Sequence, residues 1–153
     1  MRADTLSLTL LRASTCPDPD ADRGEHDFTY AVTCWEGSFL DSPVVREAAD
    51  LNTPPIPVNG TCAPFSAFIA DRENILVDAV KCAEDGSGDL VLRLYECKKA
   101  DTFCRLKVNI PHERAMACDM EEHSEQALEE DENGILLHFR AFEVRTVRLK
   151  MPG

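Results

Sequence analysis

The chain has 153 residues, the size of one domain, and 44% of them are hydrophobic, enough for a core and too many for global disorder. Its 28 acids against 16 bases give a formal net charge of −12. That charge excludes nucleic acid and an anionic membrane surface as partners, since both require a basic face, and leaves neutral or cationic ligands.

Taken in chain order, residues 5–12 alternate Leu6, Leu8 and Leu10 with Thr5, Ser7 and Thr9, which predicts a strand with one buried face rather than a signal peptide. No apolar run approaches the ~20 residues of a membrane helix. Phe28, Tyr30, Val32 and Cys34 alternate in the same way and predict a second strand over residues 28–35. Ser42-Pro43 reads as an N-cap followed by proline at the first helical position, opening a short helix over residues 43–51 with Val44, Ala48 and Leu51 at helical spacing. Residues 54–64, with four prolines and a glycine, read as a surface loop.

Strands are then predicted over 65–69, 75–82 and 89–97, the last two as a hairpin across Glu84 to Asp89. In the first of these two, Ile75, Val77 and Ala79 share one face. Residues 102–110 form another alternating strand, and 115–120 a short edge strand. The acidic run 121–133 reads as a solvated loop. It lacks the acid spacing and central glycine of an EF-hand calcium loop. Residues 134–139 and 143–151 read as a final pair of strands. The expected fold is an all-β antiparallel β-sandwich with one short helix, a single domain over residues 1–153.

Seven cysteines at wide spacings, with no CxxC, support neither a zinc ribbon nor a redox motif. Most are expected to be reduced, buried thiols of a cytoplasmic protein. A metal site from Cys82, Cys97 and Cys104 has no ligand spacing behind it. The Asn59-Gly60-Thr61 sequon matters only on a secretory route.

Four stretches carry a resemblance. "LSLTLLRASTCPDPDADRGEHDFTYAV", "VVREAADLN", "ILVDAVKCAEDGSGDLVLRLYE" and "FRAFEVRTVRL" occur in an order that resembles the β-rich C-terminal region of glycoside hydrolase family 38 α-mannosidases, of the cytosolic or vacuolar type. The resemblance implies a non-catalytic C-terminal segment of a zinc-dependent, retaining α-mannosidase that hydrolyses α-mannosides in mannose and glycan catabolism. Its partner would be the catalytic domain that precedes this region in the family and holds the zinc. A vacuolar or lysosome-like compartment is the alternative to the cytoplasm.

That family's His-x-Asp zinc motif is absent, because the four histidines are followed by Asp-Phe, Glu-Arg, Ser-Glu and Phe-Arg. The expectation is therefore no catalytic residue, no metal site and no cofactor on this chain. Paired carboxylates, the mark of glycosidases, are inevitable by chance among 28 acids.

One accessory site is expected. Asp22, Arg23, Glu25 and His26 cluster around Gly24. The plain reading is an Arg–carboxylate pair stabilising a bend. The functional reading, from the resemblance, has Arg23 positioning substrate, held by Asp22 and Glu25, because a guanidinium offers several fixed donors to sugar hydroxyls. His26 is expected to be structural. The alternative function is a free-standing carbohydrate-binding or scaffolding module. For that, Phe28, Tyr30, Trp35, Phe39 and Phe65 would supply a stacking platform for mannose-containing glycans, although the same rings suit a core or an interface. Because the first strand would lack its usual partners, homo-oligomer formation or aggregation is expected of the isolated chain.

Overall fold

The computed structural model describes residues 5–153, apart from the side chains at positions 124 and 125. It divides into two units, Met1–Cys34 and Trp35–Gly153. Among the described residues of the first unit there is no strand or helix. The expected strands over 5–12 and 28–35 are not formed. Leu6, Leu8, Tyr30 and Val32 are all more than 60% exposed. Alternation marks a chain that is able to lie on a sheet, but the ladder itself needs a neighbouring strand.

The second unit opens with a 3-10 turn, Phe39–Asp41, closed by the Asp41 carboxylate on the backbone N–H and hydroxyl of Ser38, 2.9 and 2.7 Å. Helix α1 follows over Val44–Asn52, as expected, though Ser42 is not its cap. Pro43 occupies that position, and the buried Ser42 hydroxyl donates back to the Phe39 carbonyl at 2.6 Å.

Nine strands then build two antiparallel sheets. They are β1 (Phe68–Ala70), β2 (Ile75–Cys82), β3 (Leu90–Glu96), β4 (Thr102–Val108), β5 (Arg114–Cys118), β6 (Ser124–Ala127), β7 (Glu130–Asp131), β8 (Gly134–Phe139) and β9 (Val144–Lys150). One sheet runs β1-β4-β8-β7 and the other β2-β3-β9-β5-β6. The all-β sandwich with one short helix is thus the architecture, and it occupies residues 68–150.

The core lies between the sheets. Leu92 and Leu94 of β3, Val147 and Leu149 of β9, and Ala115 of β5 face Cys104 and Leu106 of β4 and Ile135, Leu137 and Phe139 of β8. Each is at most 3% exposed, and burying one such leucine or phenylalanine stabilises the fold by roughly 1.5–3 kcal/mol. In β4 the buried Thr102, Cys104 and Leu106 alternate with the exposed Phe103 and Lys107, the period-two pattern of a sheet with one face in water.

Four expectations need correction. The strands 134–139 and 144–150 do not pair. β8 bonds to β4 and β7, whereas β9 bonds to β3 and β5, so the Arg140–Glu143 turn crosses between the sheets. β5 is not an edge, because β6 covers its other side. The acidic run is not simply a loop: it contains β6 and β7, and Glu122, 6% exposed, pairs with Lys81 at 2.6 Å. Finally, an irregularity between Val77 and Ala79 breaks the alternation of β2. Beyond it Ala79 stands opposite Arg93 and Val80, 48% exposed, opposite Leu92, so Ala79 leaves the face of Val77.

Gly134 is the position where a close approach requires glycine. Its φ is +120°, and a Cβ there would lie 2.6 Å from the Leu106 carbonyl oxygen. Here β8 leaves its turn directly against β4.

Candidate functional site

The stretch 14–28 is a polar, proline-interrupted segment that turns at Gly24, where φ is +128°. The Asp22 carboxylate accepts from the Ser14 N–H at 3.2 Å and closes the loop on itself. The Asp22 carbonyl meets His26 Nε2 at 3.1 Å, and the His26 ring stacks near Phe28, with centroids 6.2 Å apart. His26 thus makes its hydrogen bond within its own loop. Arg23 is not held by Asp22 or Glu25. Its Nε pairs with Asp20 at 2.9 Å, a residue three positions back that the reading of the sequence did not single out. Both partners are mostly exposed, so the pair is weak and the guanidinium stays available to a ligand. Glu25 is exposed.

The sandwich buries two charged clusters that sequence reasoning missed. At one end Glu96, fully buried, accepts from Asn74 Nδ2 at 2.8 Å, the Lys98 N–H at 2.7 Å and the Phe142 N–H at 3.0 Å. Burial by itself raises its pKa. The bonds from Phe142, Asn74 and Lys98 outweigh that and leave the carboxyl below its ordinary value. One carboxylate thus ties the loop after β3 to the turn before β9.

At the other end Arg148 of β9, 8% exposed, donates from Nε to Asp89 at 2.8 Å and from Nη2 to Asp85 at 2.6 Å and the Ser87 hydroxyl at 2.9 Å. Asp89, 3% exposed, also accepts from the Met151 N–H at 3.1 Å. Burial pushes the Asp89 pKa up, but Arg148 and Met151 pull it further down, to a net value below the usual one. The β2–β3 turn is in this way pinned to the last strand. A signal for both clusters did exist, in charged residues standing on otherwise apolar strands within "VLRLYE" and "VRTVRL".

The described residues do not fit zinc. Among the described residues no group of three or more His, Cys, Asp or Glu side chains is arranged to hold a metal ion. His112, His123 and His138 each face a carboxylate, on Glu130, Asp119 and Asp101. All seven cysteines are thiols, but only Cys97 and Cys104 are buried and four are exposed, which corrects the expectation that most would be buried. Burial pushes the Cys104 thiol up to about 11.

Residues 74–147 match the family described as the glycosyl hydrolases family 38 C-terminal beta sandwich domain. The chain carries the C-terminal β-sandwich of glycoside hydrolase family 38. The match runs from Asn74, a donor to Glu96, to Val147, next to Arg148, so it covers β2 to β8 and the first half of β9.

The chain is also 37% identical over 157 residues to a human protein named alpha-mannosidase 2C1, covering 97% of this chain and 15% of the relative. The mouse protein of that name is 36% identical, with 100% and 16% covered. An alpha-mannosidase G of Dictyostelium discoideum is 30% identical, with 94% and 14% covered. The chain thus spans about 15% of the length of these curated relatives. The match to the mouse protein covers the whole of this chain, the Arg23 loop and the sandwich included, and 16% of that relative.

Proposed function

We propose that this chain is a non-catalytic C-terminal segment of a zinc-dependent, retaining α-mannosidase, and that it packs on and supports the catalytic domain. The alignment of 97% of the chain with 15% of a protein named alpha-mannosidase 2C1 carries this reading. The zinc and the bond-breaking carboxylates belong, on this reading, to the remainder of the enzyme. The exposed alternating apolar residues Leu6, Leu8 and Leu10, and Phe28, Tyr30 and Val32, support it as surface awaiting a neighbouring strand or domain. Self-association of the isolated chain through the same surface follows. Seven cysteines without a disulfide favour the cytosol as the compartment.

The test is assembly. The chain and the preceding remainder of the enzyme, produced separately and mixed, are expected to co-elute and to hydrolyse an aryl α-mannoside, whereas this chain alone with added zinc stays at the buffer rate. Turnover by the chain alone, or activity of the remainder that is indifferent to its addition, would overturn the proposal.

Within the intact enzyme, Arg23 acts as a positioning residue at the rim of the substrate site. Its surface pair with Asp20 leaves donors for sugar hydroxyls. Arg23→Ala is expected to raise KM by roughly tenfold, the value of one charge-assisted hydrogen bond, with kcat and Tm little changed. Arg23→Lys, which lacks the planar fork, restores only part of the affinity. An unchanged KM rejects the role, and a loss of Tm in step with KM makes it structural.

A further inference from the structure

We propose that the outer face of the four-stranded sheet around Phe103 is a carbohydrate-binding site for an α-mannoside ring. The choice of mannoside rests on the function proposed above. The site itself rests on geometry.

Phe103 lies in the middle strand pair of its sheet, opposite His138, yet its side is turned to water and the residue is 60% exposed. The two rings stack with centroids 4.4 Å apart and planes inclined by 18°. His138 is fixed in turn, because its Nε2 lies 2.9 Å from the Asp101 carboxylate. A single exposed phenylalanine is ordinary on a protein surface. This one is held rigid by a two-ring stack and a carboxylate.

The ring borders an open cleft of about 600 Å³ lined also by Arg72, Asn74, Lys98, Asp101 and Thr102. That volume suits one or two sugar rings. Arg72 is anchored through Nε to the Phe103 carbonyl at 3.2 Å, with a side chain 58% exposed, so the outer end of its guanidinium reaches solvent beside the ring. The rim therefore offers donors from Arg72 and Lys98 and an acceptor from Asp101 around one flat apolar face. A pyranoside presents the complement: an apolar C–H face with hydroxyls, both donors and acceptors, around its edge. A neutral ligand also meets no penalty from a chain of net charge −12. The aromatic residues expected from the sequence to form such a platform do not include Phe103. In β4 it shares the exposed face with Lys107, opposite the buried Cys104 and Leu106.

The experiment uses the full 153-residue chain. Methyl α-mannoside, titrated to about 50 mM because single-ring affinities lie near the millimolar range, is expected to shift the imidazole C–H resonances of His138 in a saturable manner. The same chain is expected to be retained on immobilised α-mannan and not on bare agarose. Phe103→Ala weakens binding by roughly tenfold through loss of the stacking face, and Arg72→Ala also weakens it. Ile56→Ala, which removes an exposed apolar side chain from the loop before β1, leaves it unchanged. His138 resonances that stay still, or equal losses from Phe103→Ala and Ile56→Ala, overturn the proposal, as does binding of glucosides alone. A chain that binds mannan but fails to assemble with the rest of the enzyme overturns the function proposed above and not this site. Assembly without mannan binding does the reverse.

Discussion

Glu96→Ala is expected to lower the unfolding free energy by about 3–5 kcal/mol, a large part of the 5–15 kcal/mol that a domain commonly possesses. The carboxylate is fully buried, and alanine leaves the Asn74 amide and the Lys98 and Phe142 N–H groups without their acceptor. Two loops come loose together, so a urea titration would show a lower midpoint with the largest hydrogen-exchange gains near residues 97–101 and 140–143. Glu96→Gln keeps the shape but turns an amide NH2, itself a donor, towards one of these donors, and an intermediate loss is expected. A midpoint unchanged by Glu96→Ala would mean that water replaces the carboxylate.

The same residue sets a pH dependence. Its folded pKa is below the ordinary 4.5, so the unfolded chain binds the proton more readily. The stabilisation is fully present above about pH 4.5 and is lost as pH falls through the folded value. Asp89 acts in the same direction from its ordinary 3.8. Urea midpoints measured from pH 7 downwards are expected to stay level and then fall below about pH 4.5, and Glu96→Gln is expected to flatten that fall.

Asp89→Ala is the second large effect, with an expected loss of about 3–5 kcal/mol, because it leaves the buried Arg148 guanidinium without its closest buried partner and the Met151 N–H without an acceptor. Asp85 and Ser87 remain as partners at the surface end of the cluster, so the guanidinium is not wholly orphaned. Replacing both members of the buried pair, Asp89→Leu with Arg148→Met, is expected to cost less than Asp89→Ala alone, since a buried ion pair exchanged for apolar groups of similar volume is often neutral. Thermal and urea unfolding of the three variants decide this. If the double variant is the less stable one, the ion pair itself stabilises the sandwich.

Neither cluster was legible as a site in the sequence, and the reason is physical. Glu96 and Asn74 are 22 positions apart, Glu96 and Phe142 46, and Arg148 and Asp89 59. Local pattern carries no information about which charged residue on a strand meets which turn. The same limit explains Arg23. The cluster of Asp22, Arg23 and Glu25 suggested its own ion pair, but adjacent residues point apart, and the partner is Asp20, three positions back on the same turn.

Apolar patterning by itself determined the strands at 75–82, 90–96, 102–108 and 134–139, and in β4 the alternation follows one face in the core and one in water. It also determined the short helix, and through four stretches in order the likeness to family 38. Only the tertiary structure decided pairing. Residues 5–12 and 28–35 alternate as cleanly as β4 and yet form no strand, because alternation alone does not make a ladder, which needs a neighbouring strand in register. β8 and β9 follow each other in sequence and lie in different sheets, because the turn between them is held by Glu143 on the Arg140 N–H and by Glu96 on the Phe142 N–H, and so directs the chain across the core. The outward face of Phe103 was written in the alternation. Its stack on His138, fixed by Asp101, 37 positions away from that histidine, arises only when β4 and β8 lie side by side.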